Sequence, residues 1–186
     1  MAAVVLAAGG VTTGGLYRMA HRDGGVAQRN DTLPELCEIV SPTTLAKART
    51  TNGDARYSVS TKIETSCVWD QTLGRDGAGM RTLVVNIGKP HNPELLFDSY
   101  LQTQTQGQAS EVTTLDGVGD AAKSVLTAKR SDPRAVSGHV VRKGEHVIAV
   151  RYVGADPSLF TKEAKPDMTE LQSMSRAVLD EVLGKL

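Results

Sequence analysis

Few residues of this chain have types and spacing that could do chemistry. His139 and His146 flank Lys143-Gly144 in AVSGHVVRKGEHVIAVRYVG, which reads as a β-hairpin with Lys143-Gly144 in its turn. In that register Val141 pairs with His146 and His139 with Ile148, setting both imidazoles diagonally on one face. Such a pair could hold a metal ion weakly or respond to pH; two ordinary strand histidines are the plainer account. GVGDAA at 117–122 suggests a phosphate loop, with Ala122 in place of the third glycine of G-x-G-x-x-G. That fingerprint needs a strand before it and a helix after it. No such context surrounds it, so Gly117 and Gly119 are expected to form a tight turn. SGHV is not the G-x-S-x-G of a nucleophile elbow, and no carboxylate pair stands out for glycoside chemistry. The sequence therefore nominates no catalytic, cofactor-binding or metal-binding residue.

The thiols are more informative. In ETSCVWD, residues 64–70, the single tryptophan (Trp69) lies two positions from Cys67, and Cys37 is the only other cysteine. In an oxidising compartment, two cysteines of one small domain would pair; in a cytosolic one they would stay as buried thiols. A redox pair is not indicated, because C-x-x-C is absent, and the two cysteines with scattered histidines lack zinc-ligand spacing. A bridge would close a loop of about 31 residues and contribute roughly 3.7 kcal/mol in the chain-entropy model. Trp69 shares a strand face with Cys67, so its indole would shield the sulfurs.

Composition narrows the classes further. The 186 residues suit one domain with a real core. Lys plus Arg and Asp plus Glu are both 21, and the aromatic residues are one Trp, four Tyr and two Phe. A chain that tracks nucleic acid needs a basic face and stacking rings; neither is suggested here. Residues 2–17 carry no charge and are interrupted by glycines. Segment 1–17 thus reads as a truncated membrane anchor or signal-like segment, and 18–34 as a polar linker that could bury little surface. A single domain is expected over 35–186.

The elements of that domain follow from caps and periods. Ser41 and Pro42 open a short helix with Leu45 and Ala48 inward. Tyr57, Val59, Ile63, Cys67 and Trp69 share one parity, as in one long strand or two joined near 61–65. Residues 81–87 (RTLVVNI) read as a strand buried on both sides, and Asn92-Pro93 opens the helix PELLFDSYLQ. TQTQGQAS reads as a mobile loop, followed by a strand near 122–128 and the hairpin. Asp167 and Glu170 resemble a capping box for a helix whose inner face is Leu171, Met174, Val178, Val182 and Leu186. The expected fold is α+β: a mainly antiparallel sheet of about five to six strands with helices packed on it, one of them C-terminal.

Four motifs in order carry a resemblance: CEIVSPTTLAKA, the C-x-W strand, GVGDAA and RKGEHVIAV. Over about residues 32–186 the chain resembles the domain of unknown function 3558 family of actinobacterial extracytoplasmic proteins, many of them lipoproteins. The resemblance implies an anchored or secreted domain with a Cys37–Cys67 bridge. It brings no catalytic residues, since the family has no established activity. The lipobox cysteine is missing, so a transmembrane or cleaved segment is preferred to a lipid anchor. The expected function is a non-enzymatic cell-envelope domain binding a protein partner or small envelope ligand, with no cofactor, and touching the membrane only through its N-terminal segment. The alternative is a hydrolase or ligand-processing enzyme with an unrecognised site. The stretches 102–110 and 74–79 could rim a groove beside the sheet, with simple surface connections as the plainer account.

Overall fold

The computed structural model describes residues 32–72, 79–105, 110–128, 131–157 and 163–186; segment 1–17 and most of the linker lie outside them. A 3-10 turn, Glu35–Ile39, leads into helix α1, Pro42–Lys47. The Ser41 hydroxyl accepts the Thr44 N–H, and Pro42 stands where a missing N–H costs nothing. Leu33, assigned to the linker by sequence, already packs against the core.

Eight strands follow: β1 Asn52–Gly53, β2 Val59–Ser60, β3 Glu64–Asp70, β4 Arg81–Gly88, β5 Ser110–Thr114, β6 Ala121–Ala128, β7 Ala135–Lys143 and β8 His146–Gly154. Helix α2, Pro93–Thr105, lies between β4 and β5, and α3, Met168–Lys185, closes the chain. The order across the sheet is β1-β3-β4-β8-β7-β6-β5, with β2 also on β3, and each pairing is antiparallel. This is the expected α+β class with more strands than five to six. The additional ones are short or polar: β1 and β2 have two residues each, and β5 is SEVTT. Part of the expected loop TQTQGQAS is thus the end of α2 and the start of β5, with 106–109 outside the described residues.

The shared parity of Tyr57 through Trp69 does not survive. Tyr57, Val59 and Ile63 are 65 %, 53 % and 55 % exposed, whereas Cys67 and Trp69 are 0 % and 2 % exposed. The chain reverses at 61–63, where the Thr61 hydroxyl accepts the N–H groups of Ile63 and Glu64. β2 therefore folds back on β3 with Val59 opposite Ser66. A reversal resets the alternation, so Val59 shares a face with Ser66 and not with Cys67.

One face of the sheet is closed. The 3-10 turn, α1 and α3 bury Cys67, Trp69, Leu83, Val85, Ile148, Val150 and Tyr152 together with Leu171, Val178, Leu179 and Val182. Cys37 and Cys67 are joined by a disulfide with Cα atoms 5.5 Å apart, which staples the 3-10 turn to β3 beside Trp69. Asp167 caps α3 by accepting the N–H groups of Thr169 and Glu170. The Glu170 carboxylate, however, pairs with Arg49 across the fold. Leu186 is 37 % exposed, because α3 ends at Lys185. Glu181 accepts from Ser41 N and from Lys185, which ties α3 to the cap of α1. No helix among the described residues is long and apolar enough to cross a membrane.

On the other face, α2 covers part of β6, β7 and β8 through Phe97 and Tyr100, against Val140, Val147 and Ala149. The alternate positions of β4 on this face, Thr82, Val84 and Asn86, are only half-buried. The strand is accordingly buried on one side only, not on both.

Candidate functional site

The sequence-nominated histidines separate. The hairpin turn is Gly144-Glu145, so Lys143 lies opposite His146, and His139 opposite Val150. Gly144 has φ 59° at the first turn position, where a type II′ hairpin places glycine. His146 is four positions along β8 from the residue opposite His139, about 13 Å at strand rise, so the two form no diagonal pair. No group of three or more His, Cys, Asp or Glu able to hold a metal ion occurs among the described residues.

His139 instead belongs to a buried polar knot. Its Nε2 lies 3.0 Å from Ser175 Oγ, and Ser137 Oγ lies 2.7 Å from the same hydroxyl. Ser175 in turn donates to the Gln172 carbonyl at 3.0 Å. Ser175 can thus accept from both neighbours while donating once, which satisfies it. Burial first, and then Arg176, lowers the His139 pKa to about 4, against a smaller opposing effect of Asp180. The contact resembles a nucleophile and its base, but Ser137 and Ser175 have no exposed surface and Nδ1 has no partner to orient it. With no route for a substrate, the knot pins α3 to β7.

Gly117 and Gly119 take φ of 73° and 60°, and the strand β6, not a helix, follows them. A phosphate loop needs a helix N-terminus there, so the turn is structural. A Cβ on Gly119 would meet the Arg142 carbonyl at 2.4 Å. Asp120 then donates its N–H to that carbonyl and accepts the Gly144 N–H at 2.7 Å. GVGDAA and RKGEHV are therefore two turns locked to each other.

The surface that could engage a ligand is the half of the sheet beyond α2. In register across it, Val68 faces Val84, Ser66 faces Asn86, and Val84 faces Arg151. On its other side Arg151 faces Gly138 of β7. Arg151 is half-buried, and no hydrogen bond or ion pair reaches its guanidinium among the described residues. Burial lowers its pKa, and Arg134 lowers it further. Arg134 itself holds both carboxylate oxygens of Asp132, at 3.0 and 2.9 Å. Gln104, at the end of α2, borders the site. Its Nε2 donates to the carbonyls of His139 and Val150, and its buried Oε1 has no partner. Only glycine at 138 admits it, since a Cβ there would lie 1.9 Å from Oε1.

Of the stretches 102–110 and 74–79, Gln104 borders the site, while 74–78 and 106–109 lie outside the described residues. Sequence reasoning missed Arg151. The available signal was one cation within the apolar run VIAVRYVG. A recess of about 430 Å³ lies where the 3-10 turn meets the end of α3, lined by Leu36, Ile39, Lys185 and Leu186. Lys185 is already engaged there by the Ile39 carbonyl and Glu181. The chain matches no protein-family model and no curated protein.

Proposed function

We propose that the chain is a non-enzymatic, extracytoplasmic cell-envelope domain, membrane-anchored or secreted, that binds a protein partner on the open half of its sheet. The observation that carries the binding role is the partly exposed floor formed by Ser66, Val68, Val84, Asn86 and Arg151, which no described helix covers. A strand face suits a macromolecular partner better than a small ligand, which is usually held in a concave pocket. The Cys37–Cys67 disulfide supports an oxidising compartment, and the resemblance of its motifs to the domain of unknown function 3558 family would be consistent with an envelope location. The Ser175–His139 contact gives the hydrolase alternative no accessible nucleophile.

The test is site-specific photo-crosslinking in the native host, with benzoylphenylalanine at Val84 on the open face or at Gln172 on the outer side of α3. A discrete adduct from Val84 alone is expected. The absence of that adduct, or equal adducts from both positions, would overturn the assignment. Thiol alkylation in the same cells should label Cys37 and Cys67 only after reduction; direct labelling would remove the compartment.

A further inference from the structure

Arg151 is an unusual residue to leave in the middle of a sheet. β8 is the central strand, and Arg151 projects from it between Val84 on β4 and Gly138 on β7. A guanidinium that loses part of its hydration normally recovers it through a carboxylate or carbonyl groups. Several other arginines are paired in that way: Arg81 with Asp156, Arg134 with Asp132, Arg176 with Asp180. Arg151 has no such partner among the described residues. The nearby Arg134 is neutralised by Asp132 through two parallel hydrogen bonds. Among the described residues the site therefore offers a single uncompensated positive charge, in a half-desolvated setting beside the partly exposed Val84 and the buried Val153.

Resting on the binding role above, we propose that Arg151 is the recognition centre of the open face and takes the carboxylate of an acidic side chain from the partner protein. A guanidinium fork matches a carboxylate with two parallel hydrogen bonds. One net positive charge fits a monoanion, whereas a phosphate dianion would call for a second free cation. The partly exposed Val84 beside Arg151 would receive the apolar stem of the acidic side chain, and partial burial strengthens the pair relative to one in open water.

The decisive experiment has two arms on the full, disulfide-bonded chain. In the first, the ¹⁵N-labelled protein is titrated with sodium acetate, sodium phosphate or sodium chloride at constant ionic strength, following the Arg151 Nε–Hε resonance. Acetate should move it to saturation together with the amides of Val84 and Gly138. An equal response to chloride would mean an adventitious ion only and would overturn the proposal. A response to phosphate at lower concentration than acetate would overturn the carboxylate assignment. In the second arm, the Val84 crosslink is measured in Arg151→Gln and Arg151→Lys. At least about a tenfold loss of adduct is expected in Arg151→Gln, with partial retention in Arg151→Lys, which keeps the charge and loses the fork. An undiminished adduct in Arg151→Gln would sink the role of Arg151 while leaving the binding face standing. No adduct in the unsubstituted chain would sink the binding face itself, and the acetate arm would still decide whether Arg151 takes a carboxylate.

Discussion

Arg81 and Arg151 stand on neighbouring strands of the same sheet, yet the fold treats their charges in opposite ways. Arg81, on the closed side, is almost wholly buried, with Asp156 at 2.5 Å and the carbonyls of Ala155 and Met80 at 2.8 and 3.0 Å. Arg151, on the open side, is half-buried and has no internal partner among the described residues. The same contrast runs through the two faces. On the closed one, Tyr152 donates to the Ala48 carbonyl at 2.7 Å, and Ser137 and His139 Nε2 both meet the Ser175 hydroxyl, leaving only isolated atoms such as His139 Nδ1 without a partner. Full burial forces such pairing, because an unpaired polar group there costs a desolvation penalty with no return. Partial exposure relaxes that demand and leaves a charge available to an outside molecule. Closed-face polar groups should therefore matter to stability, and open-face ones to recognition.

The largest effect should come from the staple of the closed face. Replacing Cys37 and Cys67 together by Ser is expected to lower unfolding stability by about 4 kcal/mol, read from urea melts. An unchanged midpoint would show that the bridge contributes nothing. Next, Asp156→Ala strands the buried Arg81 and should cost about 3 kcal/mol; a loss below about 1 kcal/mol would erase the contrast between the two arginines.

His139 provides a pH test of the closed face. Its pKa falls from the ordinary 6.5 to about 4 on folding, so the unfolded chain binds more protons between those values. Its contribution is complete above pH 6.5 and is lost as pH falls toward 4, by up to about 3 kcal/mol. His139→Gln should flatten that part of the stability–pH curve; an identical slope would mean that the imidazole titrates freely in the folded state. The smallest effect belongs to Arg151→Gln. Removing an unpaired, half-buried charge should leave stability within about 1 kcal/mol, neutral or slightly raised. A loss comparable to that of Asp156→Ala would make Arg151 a structural residue like Arg81.

Much of the scaffold was legible locally. Ser41-Pro42, Asn92-Pro93 and Asp167 announced their helices, since a cap is a contact between a side chain and N–H groups two or three residues away. The glycines at 117, 119 and 144 announced turns, because a left-handed φ favours the residue without a Cβ. Less legible were the short pairings. Two-residue strands such as β1 and β2 have no period of their own, and SEVTT has too few apolar residues to mark β5. The hairpin register also slipped: Gly144 fixes that a turn exists, but whether it is the first or the second turn residue depends on the backbone twist of the flanking strands. That placement separated His146 from His139.

The amino-acid sequence by itself determined the α+β class, the main helices and the two thiols available to pair, all of which follow from short-range caps, periods and composition. Only the tertiary structure decided which alternating residues meet a helix and which meet solvent. Strand alternation divides residues into two sets, but the placement of α2 and α3 decides which set is covered. Arg151 is a site candidate for that reason alone: it lies on the strand face beside α2, Pro93–Thr105, and keeps a charge that no described residue neutralises.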